Sequence, residues 1–128
     1  RVDILVNNAG ITRDAMFHKM SPAQFQLVVN VHLMGTYNCC QAVIPTMREQ
    51  AYGRIVNISS VNAIGSVGQT NYSAAKGAIE AFTRSLALES IRKNITVNAI
   101  GPIVGASVGP GTIIAFCFGT EVTIEGNE

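Results

Sequence analysis

Tyr72 and Lys76 stand four residues apart in the stretch YSAAK, and Ser60 closes an apolar run shortly before them. On a helix that spacing puts the phenol and the ammonium on one face. A free phenol, with a pKa near about 10, is a poor proton donor at neutral pH. An ammonium beside it favours the phenolate and brings the hydroxyl toward the range useful for general acid–base chemistry. A serine hydroxyl at the end of a buried strand can donate a hydrogen bond to a carbonyl oxygen as negative charge develops there. Each residue also has a plainer reading. Y-x-x-x-K occurs by chance as a surface or a half-buried pair, and serines such as Ser59 and Ser60 cap helices or make turns. The capping role is assigned to Ser59, and Ser60, beside the start of the helix that carries Tyr72, takes the chemical one.

These residues need a scaffold, and the chain spells one out. Ile4 to Val6 reads as a buried strand, Asn7 to Gly10 as a polar turn, and residues 11 to 20 as a loop with a short helical piece. Ser21-Pro22-Ala23-Gln24 is a helix start with a serine cap, proline where its missing N–H costs nothing, and glutamine at the capping-box position. Apolar spacing from Phe25 to Met47 extends that helix to about Glu49, with Pro45 expected to bend or break it. RIVNISS (54–60) is a second strand, residues 61–71 a loop, 72–91 a helix, and ITVNAI (95–100) a third strand. Alternating strands and helices at these intervals predict an α/β fold with a Rossmann-like, doubly wound parallel sheet. Ligands of such sheets gather beyond the C-terminal strand ends, where Asn7-Asn8, Ser59-Ser60 and Asn98 to Pro102 interrupt otherwise apolar runs.

Composition narrows the function. A net charge of +1 with 13% charged residues and no tryptophan offers neither an electrostatic footprint nor a stacking platform for nucleic acid, and no basis for an anionic membrane. No run is long enough to span a bilayer. Hydrophobic content of 48% with 12 glycines suits strands covered on both faces. Cys39, Cys40 and Cys117 lack a metal-ligand spacing, and the adjacent Cys39 and Cys40 in a helical pattern read as reduced, packed residues of a cytoplasmic protein. The opening RVDILV enters a strand at once, which is expected of the later part of a larger protein.

The motifs NNAG, GRIVNISS, GQTNYSAAK and ITVNAIGP, in this order, resemble the short-chain dehydrogenase/reductase family over residues 2 to about 102. The segment NNAGITRDAMFHKM is most similar to bacterial-type 3-oxoacyl-acyl-carrier-protein reductases and acetoacetyl-CoA reductases. That resemblance implies reduction of a 3-oxoacyl thioester by direct hydride transfer from NADPH, with no metal. It makes Tyr72 the general acid and Ser60 the group that orients the carbonyl. Lys76 would contact the nicotinamide ribose. Asn8, Ala9 and Gly10 would border the cofactor, joined by Tyr72, Pro102 and Ser107, and Asn7 would brace neighbouring strands. Partners would be further copies of the chain, a homodimer or homotetramer through the two long helices.

The pattern departs from the family in three places. His32 occupies the position of an asparagine that holds a water in the family's proton relay; it either replaces that residue through a ring nitrogen or serves packing. The interval from Ser60 to Tyr72 is one residue short. Ser59 would restore it, but its side chain is expected to turn away. The glycine-rich fingerprint for the dinucleotide phosphates is not within the sequence, and 103–128 diverges, with Gly119 to Gly126 only faintly like a final strand. The expectation is therefore one partial domain over 1–128, lacking the N-terminal dinucleotide-binding half and much of the substrate segment. Two other readings stay open: a reductase of another alcohol or ketone, such as a sugar or steroid, and an inactive fragment or interaction module.

Overall fold

A computed structural model of the chain describes residues 1–101. Pro102, Ser107 and the expectations for 103–128 lie outside them. The main elements are β1 (Ile4–Asn7), α1 (Pro22–Val29), α2 (Gly35–Gln50), β2 (Gly53–Ile58), α3 (Thr70–Ser90) and β3 (Ile95–Ile100). The three strands form one parallel sheet in the order β1-β2-β3, with Ile4 opposite Arg54, Asn7 opposite Asn57, and Ile58 opposite Ile100. The open parallel sheet with helices is the architecture that the strand and helix spacing implies.

Alternation along the strands decides which face is packed. Ile55, Ile95 and Val97 point to one side and close a core with Cys40 and Met47 of α2 and Ala87 of α3. Leu5, Val43, Ile44, Phe82 and Leu86 pack around it. The other side is open: Ile4 is 65% exposed and Val6 54% exposed. Among the described residues the helices thus cover one face, where composition had implied two. Apolar runs reveal that a strand suits burial, but not what buries it.

The helical region differs from the expected single helix in an instructive way. Its start is as read: Ser21 Oγ accepts from the Gln24 N–H at 3.2 Å and Gln24 Oε1 from the Ser21 N–H at 2.8 Å. The interruption falls at a π turn over Asn30–Met34, whereas Pro45 lies inside α2. Val28, His32, Thr36 and Cys40, all buried, step by four residues. A step of four overshoots an α-helical turn by about 40°, and the wider π turn absorbs that overshoot and keeps the row facing inward. Of the adjacent cysteines only Cys40 is packed, and burial pushes its thiol up to about 11; Cys39 is exposed, against expectation.

Polar groups inside the core are paired in series. Asn7 Nδ2 donates to Asn57 Oδ1 at 2.8 Å, Asn57 Nδ2 to Thr83 Oγ1 at 2.9 Å, and the Thr83 hydroxyl to the Ile79 carbonyl at 2.7 Å. Asn7 braces the strands as expected, and the chain continues into α3. Replacing Thr83 with valine keeps the volume close but strands the buried Asn57 N–H, a loss of about 1–3 kcal/mol. Urea unfolding should show that loss for Thr83→Val and almost none for Thr96→Val at an exposed strand position.

Candidate active site

The ends of β1 and β2 each contribute one wall of a cleft. After β1 the chain turns across the sheet through Asn8, Gly10, Ile11 and Thr12. After β2 it continues into Ser59 and Ser60, and the first turns of α3 present Tyr72 and Lys76. With Ile58 and with His32 from the π turn, these residues line a cavity of about 440 Å³. Asn8 and Gly10 lie on its lining, while Ala9 is an exposed neighbour on the same turn.

Lys76 is 4% exposed, and its Nζ donates to the Ile58 carbonyl at 2.6 Å. Burial disfavours the charged ammonium and lowers its pKa. The same Nζ lies 5.6 Å from the centroid of the half-buried Tyr72 ring. The two side chains that share a helical face by spacing therefore both line the cleft.

The two serines divide their roles differently from expectation. Ser60 has extended backbone and is 4% exposed, and its Oγ accepts from the Asn62 N–H at 3.2 Å, capping the short helix Val61–Ile64. An oxygen that accepts in this way still has its own O–H to donate. Ser59, for which capping was reserved, donates to Glu80 Oε1 at 2.7 Å and so pins the end of β2 to α3. Both line the cleft.

His32 is 2% exposed. Its Nε2 lies 2.8 Å from the Ile11 carbonyl oxygen and 3.1 Å from the Ile11 N–H, so either neutral tautomer is held by the same residue. Among the described residues, Nδ1 is buried without a hydrogen-bond partner. The ring meets Tyr72 edge to face at 5.1 Å. It also explains Gly10, where a Cβ would stand 2.6 Å from the imidazole Cε1. Burial lowers the His32 pKa, the Ile11 hydrogen bond opposes that, and the charge of Lys76 adds to it.

Asn71 and Glu80, both part of this framework, were missed from the sequence. Asn71 precedes the tyrosine directly and Glu80 stands four residues after Lys76, so their positions were the available signals.

The order of strands and the clustered Ser, Tyr and Lys bear directly on family. Residues 1–109 match the family model described as short chain dehydrogenase. The chain belongs to this family. It is 56% identical over 102 residues to an acetoacetyl-CoA reductase of Shinella zoogloeoides, covering 79% of this chain and 42% of that protein. An acetoacetyl-CoA reductase of Acinetobacter sp. (strain RA3849) is 54% identical over 103 residues, with 80% and 42% covered. A peroxisomal hydratase-dehydrogenase-epimerase of Neurospora crassa is 50% identical over 109 residues, covering 84% of this chain and 12% of that protein. The chain thus spans about 42% of the length of the two reductases.

For this short-chain dehydrogenase the lowered His32 pKa sets a sign for stability against pH. The unfolded chain takes up the imidazole proton near the ordinary value of 6.5, before the folded one does. Stability is therefore complete above about pH 6.5 and declines as pH falls below it through the folded value. Unfolding free energies of wild type and His32→Gln, measured from pH 7.5 downward, should converge as pH falls. A difference that stays constant with pH would refute this.

Proposed function

We propose that the polypeptide containing this chain reduces a 3-oxoacyl thioester, carried on CoA or on acyl-carrier protein, to the 3-hydroxyacyl form with NADPH. The observation that carries this reading is the convergence of Ser60, Tyr72 and Lys76 on one cleft at the strand ends. The acetoacetyl-CoA reductases among its relatives support the substrate class.

In this reading the substrate carbonyl oxygen accepts hydrogen bonds from the hydroxyls of Ser60 and Tyr72. The Tyr72 proton passes to that oxygen as the carbonyl becomes an alcohol, leaving a phenolate that the adjacent Lys76 ammonium stabilises until a proton returns from solvent. The reverse direction uses the phenolate as base. A bound nicotinamide cofactor supplies the hydride. The residues present fit the nicotinamide end of such a group: Lys76 has three N–H donors, one of them committed to Ile58, and the exposed turn at Asn8 and Gly10 leaves the cleft open beside it. Preference for NADPH over NADH rests on the resemblance alone.

His32 serves here by holding the Ile11 turn and the ring of Tyr72, with Nε2 already engaged; a relay water held by a ring nitrogen would have to use Nδ1. Self-association through α2 and α3 is supported by the groove between them, about 300 Å³, whose lining includes Tyr37, Ile44, Phe82 and Leu86. Cys39 and Cys40, free thiols among the described residues, support a reducing compartment, the cytoplasm in this reading.

The test is turnover of acetoacetyl-CoA with NADPH, followed as loss of NADPH absorbance, using the full-length polypeptide. Tyr72→Phe should lower kcat by about 100-fold or more while NADPH still binds. Lys76→Ala should weaken both turnover and cofactor binding. Undiminished turnover in Tyr72→Phe would remove the tyrosine from the mechanism.

A further inference from the structure

We infer that Asn71 is a positioning residue that sets Tyr72 against the wall of the cleft; this rests on the reading of Tyr72 as proton donor. α3 starts without an ordinary cap. Gln69, the residue before its first turn, makes no side-chain bond to the helix. Its amide is committed elsewhere, accepting from Asn62 Nδ2 at 2.9 Å and donating to Asp14 Oδ2 at 3.0 Å. The N–H groups of a first helical turn have no partner within the helix, and one of them belongs to Tyr72.

Asn71 fills that gap from inside the turn. Its Oδ1 accepts from the Tyr72 N–H at 2.8 Å. Its Nδ2 donates to the Arg13 carbonyl at 2.9 Å and, more weakly, toward the Gln24 carbonyl at 3.4 Å. The residue is fully buried. The partners fix the orientation of the amide, because the flipped group would set its oxygen against two carbonyl oxygens.

The position of these partners gives the contact its meaning. Arg13 follows Ile11 and Thr12, which line the cleft, and Gln24 lies in the first turn of α1. One side chain therefore ties the Tyr72 backbone to the β1 turn and to α1. His32 grips the same turn at Ile11 and meets the other end of Tyr72, the ring. The phenol is thus located from its backbone and from its ring against a common wall. Small misplacement of a reacting group has large kinetic consequences, so loss of the backbone tie should act on the chemical step.

Asn71→Asp tests this, since it keeps the shape and the acceptor for Tyr72 while turning an oxygen toward the Arg13 carbonyl. In the full-length polypeptide, with acetoacetyl-CoA and NADPH, kcat should fall about tenfold or more, with KM for NADPH within about twofold. Asn71→Ser, which is smaller and also cannot bridge to Arg13, should show the same split. Gln69→Ala removes the neighbouring tie to Asp14 without touching the Tyr72 N–H, and should leave kcat within about twofold. Placed in the Tyr72→Phe background, Asn71→Asp should add no further loss, because its effect runs through the phenol. Full kcat in both Asn71 variants beside an inactive Tyr72→Phe overturns this inference alone. So does a loss that simply adds to that of Tyr72→Phe, or a loss shared by Gln69→Ala. Full turnover in Tyr72→Phe overturns the proton-donor reading first, and the inference with it.

Discussion

The register of β1 on β2 is the constraint on which everything else depends. Asn7 and Asn57 fall on one rung of the parallel ladder, and their side chains exchange a hydrogen bond within that rung. A slip of β1 by one residue would turn Asn7 to the open face and leave Asn57, still bonded to Thr83 in α3, without that partner. The same rung sets the level at which both strands end. The turn after Asn7 and the serines after Ile58 therefore emerge side by side, and the cleft exists because they do.

Electrostatics at the cleft follow from how little water reaches the Lys76 ammonium and the His32 ring. An ammonium as buried as that of Lys76 is costly unless bonded, and the Ile58 carbonyl at the end of β2 provides the bond. A second buried cation close by would be repelled, which fits a neutral imidazole at His32. The ring is then free to use a single nitrogen for either polar group of Ile11. The strand end, the helix and the π turn thus share one requirement: a single positive charge, held at a fixed height beside a phenol.

Strands and helices were legible because apolar periodicity and helix caps are local. The capping box at Ser21 and Gln24, the three strands, and the shared face of Tyr72 and Lys76 needed no knowledge of the rest of the chain. Features that depend on a second segment were not legible. The row Val28, His32, Thr36 and Cys40 looks helical to any periodicity argument, and only the turn at Ile11 shows why the helix widens there. Pro45 reads as a breaker, yet a helix interior tolerates it on an exposed side. Asn71 looked like the tail of a polar loop, since its partners lie far earlier in the chain. Gly10 was read through resemblance as a cofactor border, and its second constraint, the imidazole that a Cβ there would meet, lies too far along the chain to be read.

That contact makes positions 10 and 32 dependent on one another. Any side chain at 10 would collide with the imidazole while His32 holds Ile11. A smaller residue at 32 would lift the prohibition. Sequence change can thus pass through this pair in one order only, position 32 first. Lineages that kept the histidine would have to keep the glycine, and those that lost it would be released from this one clash.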